Sequence, residues 1–261
     1  MSLLDSCEVR ARDEGAPSRV KGKMAAAQKL YCQVDKIIDH GEHVYTVDLR
    51  PERLAPRFRS GQFLHLALDP YDPSGFWPES RVFSIASSPA RRERLRISYS
   101  VQGRFTARME RELGEGKGVW VKLPYGDFII KDTSDIALFA GGTGITAFTA
   151  FLDSLTHEFQ HRVYLAYGAR SRQLLIYYDM LEQRAKTCPA LRVSYFVERD
   201  AKIRANEAIG RLSLAAMWPH IQAPDETTFY LSGPPIMLKA LSQDLSKQGV
   251  RSSAVRIDAW E

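Results

Sequence analysis

The sequence contains few cysteines, and their arrangement excludes the common cysteine-based metal centres. The three cysteines, Cys7, Cys32 and Cys188, lie far apart, and no Cys-x-x-Cys pair is present. Structural zinc sites and four-thiolate iron–sulfur clusters need several ligands at short spacings. We therefore expect no metal site. An odd number of cysteines without a disulfide framework is typical of a reducing compartment, so we expect a cytoplasmic location.

Long hydrophobic runs are also missing. The longest uncharged stretch, residues 136–152, contains three glycines and three threonines, and it is shorter than the ~20 apolar residues of a membrane-spanning helix. We interpret it as a buried strand, a turn and a helix, and we expect no membrane span. The start of the chain lacks the basic and apolar regions of a signal peptide, and residues 1–29 are predicted to form a flexible arm.

The excess of positive charge is modest. Lys and Arg number 36 against 31 Asp and Glu, which leaves a formal charge of +5. No basic helix interleaved with aromatic residues is present, so we expect no nucleic-acid partner. Basic stretches such as residues 91–94 are interpreted as solvated surface, although the balance would also permit docking of an acidic protein.

The hydrophobic patterns divide the chain into two halves with different periods. In residues 30–132, short β-rich runs alternate with Pro, Gly, Asp and Ser clusters, which predicts an antiparallel β-barrel. One helix, over residues 107–113 and capped by Thr106, is expected to interrupt it. In residues 133–261, apolar strands alternate with helical segments, which predicts an α/β domain with a parallel sheet of five strands.

Two turns of this second half contain residue types that are typical of a ligand-binding site. Phe139-Ala-Gly-Gly-Thr-Gly-Ile-Thr follows a buried strand and opens a helix, where free N–H groups attract an anion. Ser232-Gly-Pro-Pro ends a later strand and starts another helix. The alternative is that both are tight turns without a ligand. Because both turns are expected at the carboxyl edge of one sheet, we favour a binding cleft.

A short segment of the barrel half combines a cation, a ring and a hydroxyl. If residues 81–85 form a strand, Arg81 and Phe83 share one face, while Val82 and Ser84 share the other. Such a segment could offer a charge to a phosphate and a ring edge to a flat heterocycle. The alternative is an ordinary strand with a surface arginine.

Five segments together resemble the motifs of the ferredoxin–NADP⁺ reductase superfamily of flavoproteins. In chain order they are Arg81-Val-Phe-Ser, Gly103-Arg-Phe-Thr, Leu123-Pro-Tyr-Gly-Asp-Phe, Gly141-Gly-Thr-Gly-Ile and Ser232-Gly-Pro-Pro-Ile-Met. The resemblance extends over residues 30–261. It implies a flavin-binding barrel domain at 30–132 and a nicotinamide-binding domain at 133–261.

The resemblance implies an FAD site in the barrel half. Arg81 would pair with the pyrophosphate, Phe83 would lie against the isoalloxazine, and the Ser84 hydroxyl would reach toward flavin N5. A second phosphate contact, at the start of the helix, favours FAD over FMN. The implied site residues are Arg81, Val82, Phe83, Ser84, Ile97, Ser98, Tyr99, Ser100, Gly103, Arg104, Phe105 and Thr106.

The resemblance also implies a site for NADPH or NADH in the second half. Arg170 and Arg172 follow the second strand of the sheet, where the adenosine 2′ position would lie. Together with Arg199 or Arg204 they modestly favour NADPH, although such arginines are often simply solvated. The implied binding residues are Gly142, Thr143, Gly144, Arg170, Arg172, Ser232, Gly233 and Pro234.

Four residues are candidates for the chemistry itself, namely Ser84, Ser232, Trp260 and Glu261. Phe83 replaces the usual tyrosine of the motif, which removes a hydroxyl bond to the cofactor. Ser232 replaces a common cysteine, which should slow the reaction without abolishing it. Trp260 would cover the flavin face or, alternatively, pack the chain end. Asp258 or Glu261 could carry a proton.

The function implied is that of an FAD-containing NAD(P)H reductase of the ferredoxin or flavodoxin reductase type. Because the chain has no iron–sulfur ligands, its electrons would pass to a separate acceptor protein, such as a ferredoxin, a flavodoxin or an oxygenase component. The chain is expected to be a monomer. The alternatives are a reductase of free flavin without a protein partner, and a flavin-binding regulatory subunit that does not turn over.

Overall fold

Two β-sheets, joined by a short connection between residues 125 and 135, make up the fold in the computed structural model, which describes residues 26–199, 204 and 206–258. The first sheet is antiparallel. Its six strands are β1 (Gln28–Asp39), β2 (Val44–Pro51), β3 (Phe63–Ala67), β4 (Ser80–Ser84), β5 (Leu95–Ser100) and β6 (Gly118–Tyr125).

The antiparallel sheet curls into a nearly closed barrel. Its strand order is β4-β3-β6-β1-β2-β5, so β4 and β5 are the two edges. These edges meet where the Ala86 N–H donates to the Arg96 carbonyl oxygen at 2.8 Å. Side chains alternate along each strand, as in β1, where Leu30, Cys32 and Val34 are buried in the barrel and the intervening residues are not.

One helix, α1 (Arg104–Glu112), lies between β5 and β6 in the chain and packs on the barrel core. Phe105 and Met109 are its buried residues, and they belong to the barrel core. The helix begins three residues earlier than predicted. Thr106 is therefore not the N-cap: its hydroxyl accepts hydrogen bonds from the backbone N–H groups of Gln102 and Gly103, at 2.9 and 3.1 Å.

The second sheet is parallel throughout. Its strands are β7 (Asp135–Gly141), β8 (Val163–Ala169), β9 (Leu191–Val197), β10 (Glu207–Ile209), β11 (Thr227–Ser232) and β12 (Val255–Asp258). Its helices are α2 (Thr146–Ser154), α3 (Tyr178–Thr187), α4 (Leu214–Met217) and α5 (Pro235–Lys247).

Helices cover both faces of the parallel sheet. Ile136, Leu138 and Ala140 face the core beneath α2 and α3, whereas Ala137 and Phe139 face the core beneath α4 and α5. A strand buried on both faces reads as a continuous apolar run, which explains the uncharged stretch noted in the sequence. Among the described residues, no helix is long and apolar enough to cross a membrane.

The described sheet has six strands where five were predicted. The additional strand, β10, is a three-residue edge strand that pairs with β9 in parallel. Its sequence, Glu-Ala-Ile, is too short to show alternation and contains a glutamate that a strand interior normally disfavours. The predicted two-part architecture, an antiparallel barrel followed by a parallel α/β sheet, is confirmed.

The order of the parallel strands is β10-β9-β8-β7-β11-β12. Strands β8, β9 and β10 therefore follow one another on one side of β7, whereas β11 and β12 lie on its other side. The strand order reverses between β7 and β11, and in such sheets the crevice beyond the carboxyl ends at this point is the usual ligand site.

The connection between the sheets supplies part of the packing between them. Phe128 is 9% exposed, and its ring lies 6.1 Å from that of Phe148 on α2 and 5.7 Å from that of Tyr230 on β11. Ile130, Val44 and Ala86 belong to the same buried cluster. The barrel and the parallel sheet thus share one apolar core at their junction.

We expect Phe128→Ala to lower the free energy of unfolding by about 3 kcal/mol, because it deletes a buried ring and leaves a cavity. Chemical denaturation followed by circular dichroism measures this. Phe76→Ala is the matched control, since Phe76 is 100% exposed and its removal should change stability by less than about 0.5 kcal/mol. Equal effects of the two substitutions would contradict the shared core.

Candidate functional site

The two turns singled out in the sequence touch each other at the switch point. A Cβ atom on Gly144 would lie 2.4 Å from the Ser232 carbonyl oxygen and 2.7 Å from the Gly233 nitrogen. A Cβ on Gly141 would lie 2.7 Å from Met237 Sδ. Side chains cannot fit at these positions without displacing backbone or packed neighbours, so the glycines are required for the close approach.

The first turn has the geometry of an anion cradle. Gly142 adopts a φ of +53°, and the chain then forms a short 3₁₀ turn, Gly142–Ile145, that leads directly into α2. The space beside Gly142 is open, since a Cβ there would meet nothing within 4 Å. A helix N-terminus with open backbone access suits the diphosphate of a dinucleotide. Gly142, Thr143 and Gly144 therefore fit the predicted phosphate turn.

The second turn places a buried hydroxyl–carboxyl pair beside the first. Ser232 is 3% and Asp258 is 7% exposed, and the Ser232 hydroxyl donates to Asp258 Oδ2 at 3.0 Å. The other carboxyl oxygen, Oδ1, is buried and has no hydrogen-bond partner among the described residues. Burial raises the pKa of Asp258 to about 7, despite the opposing effect of the Ser232 hydrogen bond.

The remaining chain-end candidates cannot be placed. Trp260 and Glu261 lie outside the described residues, so their predicted roles stay predictions. Asp258 was suggested from the sequence only as one of two proton carriers, and the structure adds its contact with Ser232. The strand register explains the contact, because β11 and β12 pair in parallel with Ser232 beside Asp258.

The arginines predicted to receive an adenosine 2′-phosphate all have partners within the protein. Arg172 donates in bidentate fashion to Glu207, whose side chain is fully buried, with Nε–Oε1 at 2.9 Å. This bond holds the pKa of Glu207 below its usual range. Arg204 lies with its guanidinium 5.0 Å from the Tyr178 ring. Arg170 and Arg199 both contact Glu42.

The flavin-side motifs of the barrel come together around Arg81. The Arg81 guanidinium lies 5.4 Å from the centre of the Phe105 ring, in the first turn of α1. Glu79 links the same two segments, at 3.7 Å from Arg81 and 3.4 Å from Arg104. At the start of α1, a Cβ on Gly103 would meet nothing within 4 Å. The exposed arginine and the open helix start fit a pyrophosphate.

Phe83 and Ser84 lie half-buried on β4 beside the adjoining edge strand β5. The Phe83 ring meets the Tyr99 ring at 6.1 Å in a T-shaped arrangement. Val82 pairs with His65 on β3. These positions leave β4 at the edge of the barrel with its side chains partly accessible, as a strand that contacts a flat ligand requires.

The predicted segment 97–100 divides between the core and the junction of the sheets. Ile97 and Tyr99 point into the barrel core, and Ser100 is half-buried. Ser98 is buried, and its hydroxyl is bonded to Thr46 at 2.7 Å and to Tyr177, which directly precedes α3, at 2.8 Å. Because the Ile97, Ser98 and Tyr99 side chains are engaged within the protein, the backbone of this segment is the part suited to the predicted cofactor contact.

The two predicted half-sites face one another. Strand β5 of the barrel lies against the 3₁₀ turn, Gly142–Ile145, of the parallel sheet. The Ser98–Tyr177 bond crosses the same junction. The structure thus brings the flavin-side strands and the glycine turn into one region, although they are separated by more than 40 residues of sequence.

Several residues of this region were not identified from the sequence. Glu42, Glu79, Glu207 and Tyr177 contact predicted site residues, yet no motif marks them. Each acts through a contact between distant segments. No group of three or more His, Cys, Asp or Glu side chains that could hold a metal ion occurs within the part of the chain that the structure describes.

Comparison with a solved structure first shows the class of fold to which this chain is similar. The ferredoxin reductase of carbazole 1,9a-dioxygenase has the same fold, with a TM-score of 0.75 over 92% of this chain and 71% of that chain at 22% sequence identity. This fold is that of the two-domain FAD/NAD-binding reductases. Residues 138–243 match the family model of the oxidoreductase NAD-binding domain.

Two curated relatives are similar in sequence. The reductase component DmpP of phenol 2-monooxygenase from Pseudomonas sp. (strain CF600) is 28% identical over 161 residues, which cover 60% of this chain and 44% of the relative. The NAD(P)H-flavin reductase of Aliivibrio fischeri is 30% identical over 151 residues, which cover 54% of this chain and 61% of the relative. The chain thus spans about half the length of these relatives. The family-model match over residues 138–243 and the shared fold agree with the resemblance to the ferredoxin–NADP⁺ reductase superfamily.

The Asp258 pair makes a prediction about pH. The folded-state pKa of Asp258, about 7, is above the ordinary value, so folding favours the protonated carboxyl. Its contribution to the free energy of unfolding is therefore fully present at pH values below the ordinary pKa and is lost as the pH rises from there through 7. Asp258→Asn, which stays neutral, should remove this loss. Relative to wild type, its free energy of unfolding should rise between about pH 5 and pH 8, by on the order of 3 kcal/mol.

Denaturant titrations at a series of pH values measure the effect, with Asp132→Asn as the control because Asp132 is exposed. The same pH dependence in Asp258→Asn and wild type would show that Asp258 does not titrate in this range.

Proposed function

We propose that this chain is an NAD(P)H-dependent, FAD-containing reductase module that passes electrons to a separate acceptor protein. The observation that carries the proposal is the junction of the sheets, where strand β5 lies against the glycine turn at the switch point of the parallel sheet. A module of this kind needs two cofactors in contact. The junction is the one region of the described chain where both predicted half-sites meet.

The barrel, residues 30–132, would bind FAD. Arg81 and the start of α1 would hold the pyrophosphate, because one supplies a positive charge and the other supplies backbone N–H groups. Phe83 and the backbone of residues 97–100 would position the ring system, with Ser84 at its reactive edge. Bound FAD supplies the redox chemistry, since it accepts two electrons from a reduced nicotinamide and releases them to an acceptor.

The parallel sheet, residues 133–261, would bind the nicotinamide dinucleotide. Gly142, Thr143 and Gly144 would cradle its diphosphate, and Ser232, Gly233 and Pro234 would line the place of the nicotinamide. Ser232 holds Asp258 in a fixed orientation at the buried end of this turn. The protein's contribution is to hold both cofactors in a productive orientation and to exclude water.

The acceptor is proposed to be a separate protein of acidic surface. Two arginine-rich segments, residues 50–59 and 91–94, meet on the barrel through hydrogen bonds between Ala55 and Arg92 at 2.9 and 3.1 Å. We call them the basic face. They contain seven arginines and two glutamates, so their local excess equals the whole formal charge of +5.

The basic face also offers a shape for docking. A cleft of about 560 Å³ is lined by four arginines and two acidic residues, and Leu54, which also lines it, is 59% exposed; the charged residues are Arg50, Arg53, Arg91, Arg94, Asp35 and Glu93. A positive patch with an exposed apolar residue is typical of a surface that steers and anchors an acidic partner. The similarity to a reductase component of phenol 2-monooxygenase supports an oxygenase component as that partner, and a ferredoxin is another acceptor expected from the sequence.

A second candidate is the reduction of free flavin without a protein partner. It is favoured by the similarity to the NAD(P)H-flavin reductase of Aliivibrio fischeri. A regulatory subunit that binds flavin without turnover is the third possibility, which the Phe83 and Ser232 replacements keep open. The experiments below distinguish the three.

The first experiment tests cofactor binding and reduction. Protein reconstituted with FAD should be yellow and should bleach anaerobically when NADH or NADPH is added. Gly144→Ala should keep the flavin but lower the bleaching rate by at least about tenfold, because its Cβ would force the two turns apart. Stopped-flow absorbance measures the rate.

Gly114→Ala is the control, since a Cβ at Gly114 meets nothing within 4 Å. A protein that binds FAD but does not bleach would support the regulatory subunit and refute the reductase. A protein that releases FAD during turnover would support the free-flavin reductase.

The second experiment tests the acceptor. The double substitution Arg53→Glu with Arg91→Glu should lower kcat/KM for an acidic ferredoxin by about tenfold at low salt, and the difference should shrink at about 0.5 M NaCl. Reduction of menadione, a neutral small acceptor, should be unchanged. Arg192→Glu, on the exposed side of β9, is the control for charge alone. An equal loss with ferredoxin and menadione would contradict docking at the basic face.

A further inference from the structure

One carboxylate of the barrel lies between two arginines of the parallel sheet. Glu42 Oε2 is 3.3 Å from an Arg170 guanidinium nitrogen and 3.4 Å from an Arg199 guanidinium nitrogen. Arg170 directly follows β8, and Arg199 follows β9. Both arginines therefore stand at the carboxyl edge of the sheet, and the acidic group that joins them comes from a different part of the chain.

The turn that carries Glu42 is held in a specific conformation. Gly41, Glu42 and His43 have φ values of +79°, +48° and +60°. Two consecutive non-glycine residues in the left-handed region are unfavourable and persist only where the surroundings hold them. Here the Gln173 side-chain amide, in the segment after β8, donates to the His40 carbonyl oxygen at 2.8 Å, and His43 Nδ1 lies 2.7 Å from Glu110 Oε1 on α1. Glu42 is thus directed toward the arginines.

The position of the arginines defines what they would meet. In a parallel sheet that binds a dinucleotide, the diphosphate lies on the turn after the first strand, and the adenosine 2′ position lies at the end of the neighbouring strand. These are β7 and β8 here. This step rests on the proposed function. At that position an acidic residue accepts from the 2′-hydroxyl of NADH, whereas an arginine receives the 2′-phosphate of NADPH.

The other arginines of this edge are already engaged. Arg172 is bound to the buried Glu207 carboxylate, and the Arg204 guanidinium lies 5.0 Å from the centre of the Tyr178 ring. Arg170 and Arg199 therefore supply the charge for a 2′-phosphate. Glu42 occupies the space between them with a group of the same sign as a phosphate.

We propose that Glu42, a residue of the barrel, determines the dinucleotide specificity of the parallel sheet. Its carboxylate takes the place of a 2′-phosphate between Arg170 and Arg199. NADPH can bind only by displacing Glu42 against charge repulsion, whereas NADH leaves it in place and its 2′-hydroxyl can donate to it. The wild-type chain therefore favours NADH, which reverses the preference that the arginines alone predict.

The test measures binding of the oxidised dinucleotides by calorimetry on the FAD-loaded protein, so that it does not depend on turnover. In wild type the Kd for NAD⁺ should be lower than that for NADP⁺. Glu42→Gln should lower the Kd for NADP⁺ by about tenfold and change that for NAD⁺ by less than about threefold. Glu52→Gln, an exposed acid away from this edge, is the control and should change neither.

Further variants keep the proposal falsifiable if Glu42 also has a structural role. Arg170→Ala, added to Glu42→Gln, should cancel the gain in NADP⁺ affinity. If Glu42→Gln lowers the melting temperature and changes both Kd values alike, Glu42 is only a latch between the sheets and the proposal fails. An unaltered NADP⁺ affinity, or a wild type that already prefers NADP⁺, also overturns it. A wild type that binds neither dinucleotide instead refutes the proposed function.

Discussion

The close approach of two turns at the carboxyl edge of the parallel sheet is the constraint on which the rest of the candidate site depends. Gly144 lies directly against the backbone of Ser232 and Gly233, with no room for a Cβ. The approach is possible because β7 and β11 are hydrogen-bonded neighbours although more than 80 residues separate them. Their contact places the start of α2, with its N–H groups, beside the buried Ser232–Asp258 pair. The nicotinamide half-site therefore follows from the strand order as much as from the glycines.

Electrostatic pairing near the junction refines this arrangement, and the Glu42 pairs cross it. Two carboxylates, Glu42 and Glu207, engage the arginines that follow β8 and β9, and a third, Asp48 on the barrel, holds Arg96 through bonds of 2.6 and 2.7 Å. Glu207 and Asp48 are buried, so either charge would carry a large desolvation cost if it were unpaired, whereas Glu42 and its two arginines are exposed. The net charge at the carboxyl edge of the parallel sheet therefore depends on the partner carboxylates as well as on the number of arginines.

Local patterns predicted most of the architecture. The uncharged stretch 136–152 is a strand, a turn and a helix, and the alternating runs of residues 30–125 form the barrel. The errors have local causes as well. The three-residue strand β10 is too short to show a period, and Thr106 has the composition of an N-cap but stands three residues inside the helix. The roles of individual site residues were harder to predict. The Ser98 hydroxyl, for example, is engaged by Tyr177 at the start of α3, in the other half of the chain.

The sequence by itself determined the two-part division, the order of the motifs and the residue types of both half-sites, since these depend on periodicity and on glycine, proline and arginine at particular positions. Only the tertiary structure decided which carboxylates neutralise which arginines, and that Asp258 is buried with one oxygen that has no hydrogen-bond partner among the described residues. The physical reason is that pairing and burial depend on the distance between segments far apart in the chain. The residues around Glu42 in the sequence, for example, do not indicate that it contacts Arg170 and Arg199.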